Sequence, residues 1–252
     1  MPRVARERSK TGIYHIILRG VNRQTIFKDD EDRQRFFESI AKFKDESKYQ
    51  LYGYCFMDTH IHALMKEEME PISLVLKRIC SSFVYWYNLK YDRTGHLFQE
   101  RYKSEVVEDD PYFLTVIRYI HQNPVKAGMV KNVSDYKWSS YQEYINKPLI
   151  TDTEFALRLF SDDKKEAIKR FEMFNNQQNT DKCLEFEKKV RLTDEDIRSL
   201  LLQHGIDNNK KLLKLELDER NRILRDVKLT EGVTIRQLSK ITGVSKSVIS
   251  RL

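Results

Sequence analysis

The sequence predicts an α+β fold in which helices pack on a central, largely antiparallel sheet, followed by a purely helical region. Two observations lead to this prediction. In the first 147 of the 252 residues, segments of alternating apolar and polar residues follow segments whose apolar residues recur every three or four positions. From residue 148 onward the alternation stops and polar, helix-like patterns take over. We therefore divide the chain into residues 1–147, a helical connecting region 148–224 and a final segment 225–252.

Six elements in the order β-α-β-α-β-α are predicted within the first 147 residues. Alternation predicts the strands, and apolar residues on one helical face predict the helices. In chain order the elements are strand 13–19, helix 29–47, strand 52–66, helix 72–89, strand 97–107 and a helix from 109 to about 122.

The ends of the helices are predicted from residues that favour or oppose helical geometry. Pro71 precedes the second helix. Asp109 and Pro111 begin the third, because an acidic residue and a proline both suit a first helical turn. Pro124 disfavours helical geometry in the residue before it, which predicts an end near Gln122.

The helical part of the chain contains one interruption and ends in a recognisable pattern. The run of amides at 175–179 predicts a loop or spacer. Residues 233–252 predict two short helices joined by a tight turn at Gly243, with Val248 and Ile249 burying the second helix. This pattern is typical of a DNA-binding helix-turn-helix, and an ordinary helical hairpin is the alternative.

Positive charge is concentrated at the two ends of the chain. The net charge is +7, and residues 1–28 alone carry +6 whereas residues 225–252 carry +4. Basic regions of this kind favour contact with nucleic acid. No apolar run is long enough to span a bilayer, and three scattered cysteines exclude a disulfide framework. We expect a cytoplasmic protein.

Two histidines in the second predicted strand are the first candidates for chemistry. His60 and His62 are two residues apart, so they share one face of the strand, while Ile61 and Ala63 point to the other. Neutral imidazoles placed side by side are good metal ligands. The pair therefore indicates a metal site.

The third predicted helix supplies the remaining candidates. Tyr119 and Asn123 are four residues apart and lie on one helical face. If that face meets the histidines, a phenol, an amide oxygen and two imidazoles surround one point. Asn123 would complete the ligands of a hard divalent ion, Mg²⁺ or Mn²⁺, which could hold a phosphate oxygen.

Over roughly residues 10–145 the chain resembles the REP-associated tyrosine transposases, in the single-tyrosine branch of the HUH endonucleases, whose fold is ferredoxin-like. The motifs that carry this resemblance are Arg19–Gln24 with Ile26 and Phe27, His60–His62, Gly95–Ser104, Tyr119–Gly128 and Trp138–Tyr141. The resemblance implies that His60 and His62 are metal ligands and that Tyr119 is the nucleophile. It also implies that Asn123 occupies the position of a polar third ligand.

The function implied by this resemblance is cleavage and rejoining of single-stranded DNA near hairpins formed by repeats. Tyr119 would form a covalent bond to the 5′ phosphate and leave a free 3′ hydroxyl. We expect DNA contacts from a set of polar and basic side chains, which are Arg19, Asn22, Arg23, Arg101, Lys103 and Lys126 in the first part of the chain and Lys246 and Arg251 at its end.

Several alternatives stay open from the sequence. The chain could instead be a DNA-binding regulator that keeps the fold without cleavage, or a plasmid relaxase or replication initiator. Asp58, on the predicted histidine face, either acts on the metal or is a surface charge. The sequence leaves open whether Tyr119 serves its own subunit or a partner, and hence whether the protein is a monomer or a homodimer.

Overall fold

The computed structural model describes residues 6–99, 101–185, 192–230 and 232–252. These residues form two compact units, divided after Glu185. The division differs from the boundaries at 148 and 225 that the sequence suggested. Helices between 141 and 176 pack on the sheet of the first unit, and helices between 194 and 229 share one apolar core with the last residues.

The first unit is built on a four-stranded antiparallel sheet. Its strands are β1 (Ile13–Arg19), β2 (Gln50–Met57), β3 (His60–Lys66) and β4 (Lys103–Val106). Their spatial order is β2-β3-β1-β4, and each described pair of neighbours is antiparallel. The prediction of an α+β fold around an antiparallel sheet is therefore confirmed.

Helices cover both faces of this sheet. They are α1 (Asp30–Ser47), α2 (Ile72–Lys90), α3 (Asp110–Lys126), α4 (Tyr141–Ile145), α5 (Thr153–Arg158) and α6 (Lys164–Asn176). α1 and α2 bury one face of the sheet and α3 buries the other. No helix within the described ranges is both long enough and apolar enough to cross a membrane.

The predicted strand 52–66 is wrong, because this segment is a hairpin. Met57 of β2 pairs with His60 of β3, so only Asp58 and Thr59 form the loop. The carbonyl oxygen of Asp58 accepts from the backbone amides of Ile26 and Phe27. A two-residue loop shifts the alternation by one residue, but β2 is buried on both faces, so its residues show no alternation in which that shift could be seen.

The predicted strand 97–107 is confirmed only at its end. β4 begins at Lys103. Residues 97–99 lie beside the end of β1 in a separate arrangement, where Phe98 forms an isolated bridge with Gly20 and the amide of Gln99 donates to the carbonyl oxygen of Arg19. Glu100 lies outside the described residues.

The predicted end of the third helix near Gln122 is wrong, because α3 continues through Pro124 to Lys126. Proline costs a helix one hydrogen bond and some strain. Here Gln122 and Pro124 are both buried, and the amide nitrogen of the Gln122 side chain donates to the carbonyl oxygens of Asn175 and Gln177. These tertiary contacts outweigh the local preference.

The predicted spacer at 175–179 is also wrong in part. Asn175 is a fully buried residue of α6, and its amide oxygen lies 3.0 Å from Nδ1 of His121. Residues 177–185 follow α6 without regular structure and lie along α3. We refer to residues 177–185 as the covering segment.

The second unit is helical. It consists of α7 (Asp194–Gln203), α8 (Asn209–Lys214), α9 (Leu217–Leu229), α10 (Ile235–Thr242) and α11 (Lys246–Arg251). Gly243 has a φ of 75°, a left-handed geometry that glycine adopts without strain, and it ends α10. Ile249 is buried as predicted. The predicted burial of Val248 is wrong, because its side chain is 38% exposed. Whether this helix pair is a DNA-binding motif stays a prediction.

A mutation in the aromatic core would test the packing between α1, α2 and the sheet. The Phe36 ring packs edge-on against Phe56 and Phe83, with centroids 5.3 and 5.1 Å apart. We expect Phe36→Ala to lower the free energy of unfolding by about 3–5 kcal/mol, because it removes a buried ring and leaves a cavity. Urea unfolding followed by tryptophan fluorescence measures this change, since both tryptophans, Trp86 and Trp138, lie in the first unit.

Tyr85→Ala is the control, because the Tyr85 side chain is 71% exposed on α2. Its effect should stay within about 0.5 kcal/mol. Equal effects of the two substitutions would contradict the packing described here.

Candidate active site

The two predicted metal ligands lie on β3, on the face that α3 covers. His60 is opposite Arg19 of β1, and His62 is opposite Ile17. The two imidazole centroids are 5.0 Å apart. His62 is 2% exposed, whereas His60 is half-buried at the end of the strand. Strand alternation thus places both rings on one face, as predicted, with the Ile61 side chain in the core behind them.

Each imidazole is held through its Nδ1 atom. Nδ1 of His60 lies 3.0 Å from the hydroxyl oxygen of Thr59, and Nδ1 of His62 lies 3.1 Å from Nε2 of His15. A ligating histidine in a protein is usually oriented by a hydrogen bond from its second ring nitrogen. In both rings Nε2 is therefore the nitrogen positioned to bind a ligand.

Both histidines are neutral around pH 7. Burial, with a smaller contribution from the charge of Arg19, lowers the pKa of His60 to about 4. Burial first, and then the neighbouring His15 and His60, lowers the pKa of His62 well below its usual value. A neutral imidazole has the lone pair that a metal ion needs.

Tyr119 of α3 is brought to the same place. Its ring stands edge-on to His62 and to His15, with centroids 5.6 and 5.8 Å apart. The residue is 2% exposed, and its hydroxyl donates to Oε1 of Glu185 at 2.7 Å. Burial and this carboxylate hold the pKa of Tyr119 far above its usual value.

Asn123, the predicted third ligand, contacts Tyr119. Its amide nitrogen donates to the backbone carbonyl oxygen of Tyr119 at 2.8 Å. In the part of the chain that the structure describes, no three histidine, cysteine or carboxylate side chains form a cluster suited to a metal ion. Among the described residues, a third protein ligand beside His60 and His62 would therefore be of another type, such as an amide oxygen.

The covering segment closes the site from the outside. Asp181 forms a two-pronged ion pair with Arg118, at 2.7 and 2.9 Å, and both side chains are largely buried. The backbone amide of Leu184 donates to Oε2 of Glu105 on β4. Glu185 itself is exposed, so the partner of the buried Tyr119 hydroxyl lies at the protein surface.

The predicted DNA-binding side chains of the first unit fall into two groups. Arg19 lies beside His60, and Asn22 and Arg23 are exposed in the turn Val21–Arg23 that follows β1. The second group is more dispersed and consists of exposed Arg101, half-buried Lys103 on β4, and Lys126, whose ammonium lies 4.9 Å from the Tyr119 ring centroid.

The remaining predicted contacts lie in the second unit, and Asp58 lies in the loop between β2 and β3. Lys246 and Arg251 are exposed on α11. Asp58, for which the sequence left two roles open, forms an ion pair with Arg33 of α1 and has a half-exposed side chain.

Sequence reasoning missed His15, Glu105 and Glu185. His15 and Glu105 are opposite each other on β1 and β4. The alternation of β1 could have shown that His15 faces the same side of the sheet as His62, provided the pairing of the strands was known. Glu185 lies in an irregular segment, where no periodicity predicts which way a side chain points.

Comparison with known proteins relates this chain to a class of enzymes. Residues 9–123 match the protein family described as Transposase IS200 like. The REP-associated tyrosine transposase of Escherichia coli (strain K12) is 24% identical over 118 residues, which cover 46% of this chain and 68% of the relative. A protein of Haemophilus influenzae, whose name carries the same designation in provisional form, is 23% identical over 159 residues, covering 56% of this chain and 86% of that protein.

A solved structure agrees with these relatives. A REP-associated tyrosine transposase bound to a REP hairpin superposes with a TM-score of 0.52 and 21% identity, over 59% of this chain and 88% of that chain. The family match and the shared fold both relate the chain to enzymes of the tyrosine transposase class. Within that class the chain is similar to the REP-associated tyrosine transposases, and the resemblance predicted from the motifs is confirmed.

Proposed function

We propose that the chain is a divalent-metal-dependent endonuclease and strand transferase that acts on single-stranded DNA through a covalent 5′-phosphotyrosine. The observation that carries the proposal is the approach of Tyr119 to His62, with ring centroids 5.6 Å apart, inside the segment that matches the transposase family. A phenol beside two neutral imidazoles combines a nucleophile with a metal-binding pair.

The chemistry assigned to Tyr119 is an exchange of phosphodiester bonds. Its phenolic oxygen attacks the phosphorus, the bond from phosphorus to the 3′ oxygen breaks, and the DNA leaves with a free 3′ hydroxyl. The phenol loses one proton during the attack, and the leaving 3′ oxygen takes up one proton to become the hydroxyl. Because the phosphotyrosine keeps the bond energy, a 3′ hydroxyl can reverse the reaction and join DNA without ATP.

The residues present fit a divalent metal ion. His60 and His62 would hold Mg²⁺ or Mn²⁺ through Nε2, and Asn123 would add its amide oxygen, since its described bond uses the amide nitrogen. When bound, the ion would offset the negative charge of the scissile phosphate and orient it. His15 and Thr59 keep the two imidazoles oriented for this task.

The charges around the site support a DNA substrate. Arg19 lies opposite His60, Asn22 and Arg23 are exposed in the turn that follows β1, and Lys126 lies over the Tyr119 ring. Guanidinium groups suit phosphate because they can donate two parallel hydrogen bonds. Arg101 and Lys103 would extend the contact. A hairpin formed by repeated sequences is the proposed target, by analogy with the hairpin bound by the structural relative. A chromosomal target of this kind would place the protein in the cytoplasm.

The ring contact also supports action of the tyrosine in its own subunit. Tyr119 and His62 meet within one chain, so a second copy is not needed to complete the site. We therefore propose that a monomer is active.

A second proposed role belongs to the second unit, which we infer binds duplex DNA through α10 and α11. Lys246 and Arg251 are exposed on α11, and the unexpected exposure of Val248 adds an apolar group to the same short helix. A basic helix of this kind can contact phosphates while an apolar side chain contacts a thymine methyl group. The helix pair likewise supports the alternative of a regulator that binds DNA without cutting it.

A covalent-adduct assay tests the nucleophile. Wild-type protein with Mn²⁺ and a single-stranded hairpin oligonucleotide should form a covalent protein–DNA band on a denaturing gel. The adduct should contain a label placed at the 3′ end of the DNA and lack one placed at the 5′ end, because Tyr119 retains the 5′ phosphate. We expect Tyr119→Phe to abolish the band, because phenylalanine has no attacking oxygen.

Tyr85→Phe is the matched control and should form the adduct like the wild type, since Tyr85 is exposed on α2. Equal adduct in wild type and Tyr119→Phe would refute Tyr119 as the nucleophile. DNA binding without any adduct in the wild type would favour the regulator.

Loss of either imidazole should abolish metal-dependent cleavage while DNA binding survives. We expect His60→Ala and His62→Ala each to lower the nicking rate about 100-fold or more, because a bound metal supplies several kcal/mol of transition-state stabilisation. EDTA should do the same to the wild type. His204→Ala, an exposed histidine in the second unit, is the control. Retained nicking in His62→Ala would remove it from the ligand set.

Mixing inactive variants then tests action within one subunit. Tyr119→Phe and His62→Ala should remain inactive together, because neither chain contains a complete site. Restored nicking in the mixture would show that Tyr119 serves a partner.

The second unit can be tested on duplex DNA. We expect the double substitution Lys246→Ala, Arg251→Ala to weaken duplex binding and to reduce the slope of log affinity against log salt by about 2, as expected for two lost phosphate contacts. Fluorescence anisotropy in a salt series measures both effects, and nicking of short hairpins should persist. The control is Lys210→Ala, Lys211→Ala on α8, and equal slopes for both double variants would exclude α11 as the contact.

A further inference from the structure

A buried histidine outside the recognised motifs contacts the proposed metal pair. His15 of β1 is 0% exposed, and its Nε2 lies 3.1 Å from Nδ1 of His62. The two rings are nearly parallel, with centroids 5.3 Å apart. Ile17 is the residue opposite His62, so His15 reaches it diagonally across the antiparallel pair. The contact is therefore determined by the register of two central strands.

A carboxylate stands on the other side of His15. Glu105 of β4 is its direct cross-strand partner, and Oε2 of Glu105 lies 3.8 Å from Nδ1 of His15. The carboxylate is itself held, because the hydroxyl of Tyr112 and the backbone amide of Leu184 both donate to Oε2. Among the described residues, Nδ1 of His15 is buried without a hydrogen-bond partner. The carboxylate is thus the acceptor that a small rotation or a bridging water would supply.

The positions of the protons follow from this geometry. If Nε2 of His62 binds a metal, its proton is on Nδ1, which donates to Nε2 of His15. Nε2 of His15 must then be unprotonated, so the proton of that ring is on Nδ1 and faces Glu105. Across the strands β4, β1 and β3 the order is carboxylate, His15, His62 and metal, and each group determines the tautomer of the next.

We propose that His15 and Glu105 are positioning residues that hold His62 in the orientation and tautomer in which Nε2 faces the metal. This inference rests on the proposed function, because it assumes that His62 is a ligand. A carboxylate that orients a ligating histidine is a common arrangement around protein metal sites. Here the carboxylate and the ligating histidine do not touch, because the imidazole of His15 on β1 lies between Glu105 on β4 and His62 on β3.

Another buried histidine of the same unit shows what a purely structural role looks like. His121 is 0% exposed, and its ring nitrogens lie 3.0 and 2.8 Å from Asn175 and Ser140. Both partners are neutral groups of the surrounding helices and loops. His15 differs, because one partner is a proposed metal ligand and the other a carboxylate.

Metal affinity and tautomer state test this proposal without relying on catalysis. In the full-length protein without DNA, Mn²⁺ binding is measured by titration calorimetry for wild type, His15→Phe, His15→Gln, Glu105→Gln and the control His121→Phe.

We expect His15→Phe to weaken Mn²⁺ binding about 10- to 100-fold, because a ring of similar size remains but the acceptor is lost. His15→Gln should recover most of the affinity, since its amide oxygen can accept from Nδ1 of His62, and Glu105→Gln should weaken binding less than His15→Phe. His121→Phe should bind Mn²⁺ like the wild type.

The second measurement is a long-range ¹H–¹⁵N spectrum of the histidine side chains of metal-free wild type, assigned with His15→Gln and His62→Ala. We expect His62 and His15 both to carry their proton on Nδ1. Protonation of His62 on Nε2, or unchanged Mn²⁺ affinity in His15→Phe, would overturn the proposal even if other variants fail to fold.

A different result is expected in the same Mn²⁺ titration if the proposed metal site itself is wrong. If His62→Ala binds Mn²⁺ as tightly as the wild type, His62 is not a ligand and the proposed metal site is wrong. Nδ1 protonation of both rings would then show that the hydrogen-bonded chain exists without a metal role, which also overturns the assignment of His15 as a positioning residue.

Discussion

The antiparallel register between β1 and β3 is the constraint on which the candidate site depends. It places Arg19 opposite His60 and Ile17 opposite His62, and it brings His15 within hydrogen-bonding distance of His62. A slip of one residue would turn every side chain of a strand to the other face. The apolar side chains of β3, which fill the core beneath α1 and α2, oppose such a slip. Core packing and site geometry are therefore enforced by the same pairing.

Burial gives this site its chemical character. Buried imidazoles remain uncharged, and their polar atoms need partners inside the protein. His15 and Thr59 meet that need for Nδ1 of the two proposed ligands, which leaves one defined atom of each ring for coordination. Tyr119 is buried too, but its hydroxyl donates to a carboxylate at the surface. The buried imidazoles of the site are thus neutral and held in one orientation, while the Glu185 carboxylate lies at the surface.

Local sequence patterns predicted what depends on local geometry. The shared face of His60 and His62 followed from alternation, and the positions of the long helices followed from the spacing of their apolar residues. Pattern alone could not choose Tyr119 over Tyr112, seven residues away on the same helix, and the choice came from the family resemblance. Contacts between distant residues gave no local signal, because Arg118 meets Asp181 63 residues later in the chain. The same holds for Pro124, where tertiary packing extends α3 beyond the end that proline favours.

The short loop at Asp58 and Thr59 restricts changes of chain length next to the candidate site. It has only two residues, and the carbonyl oxygens of both accept backbone hydrogen bonds from the segment that follows β1. An inserted residue would displace carbonyl oxygens that accept from the amides of Gly20, Ile26 and Phe27, so we expect this loop to tolerate a change of length less well than an ordinary surface loop. Variation in DNA preference has to arise elsewhere, at the exposed turn Val21–Arg23 or in the separate C-terminal unit. The candidate site would then stay constant while the residues that contact DNA vary around it.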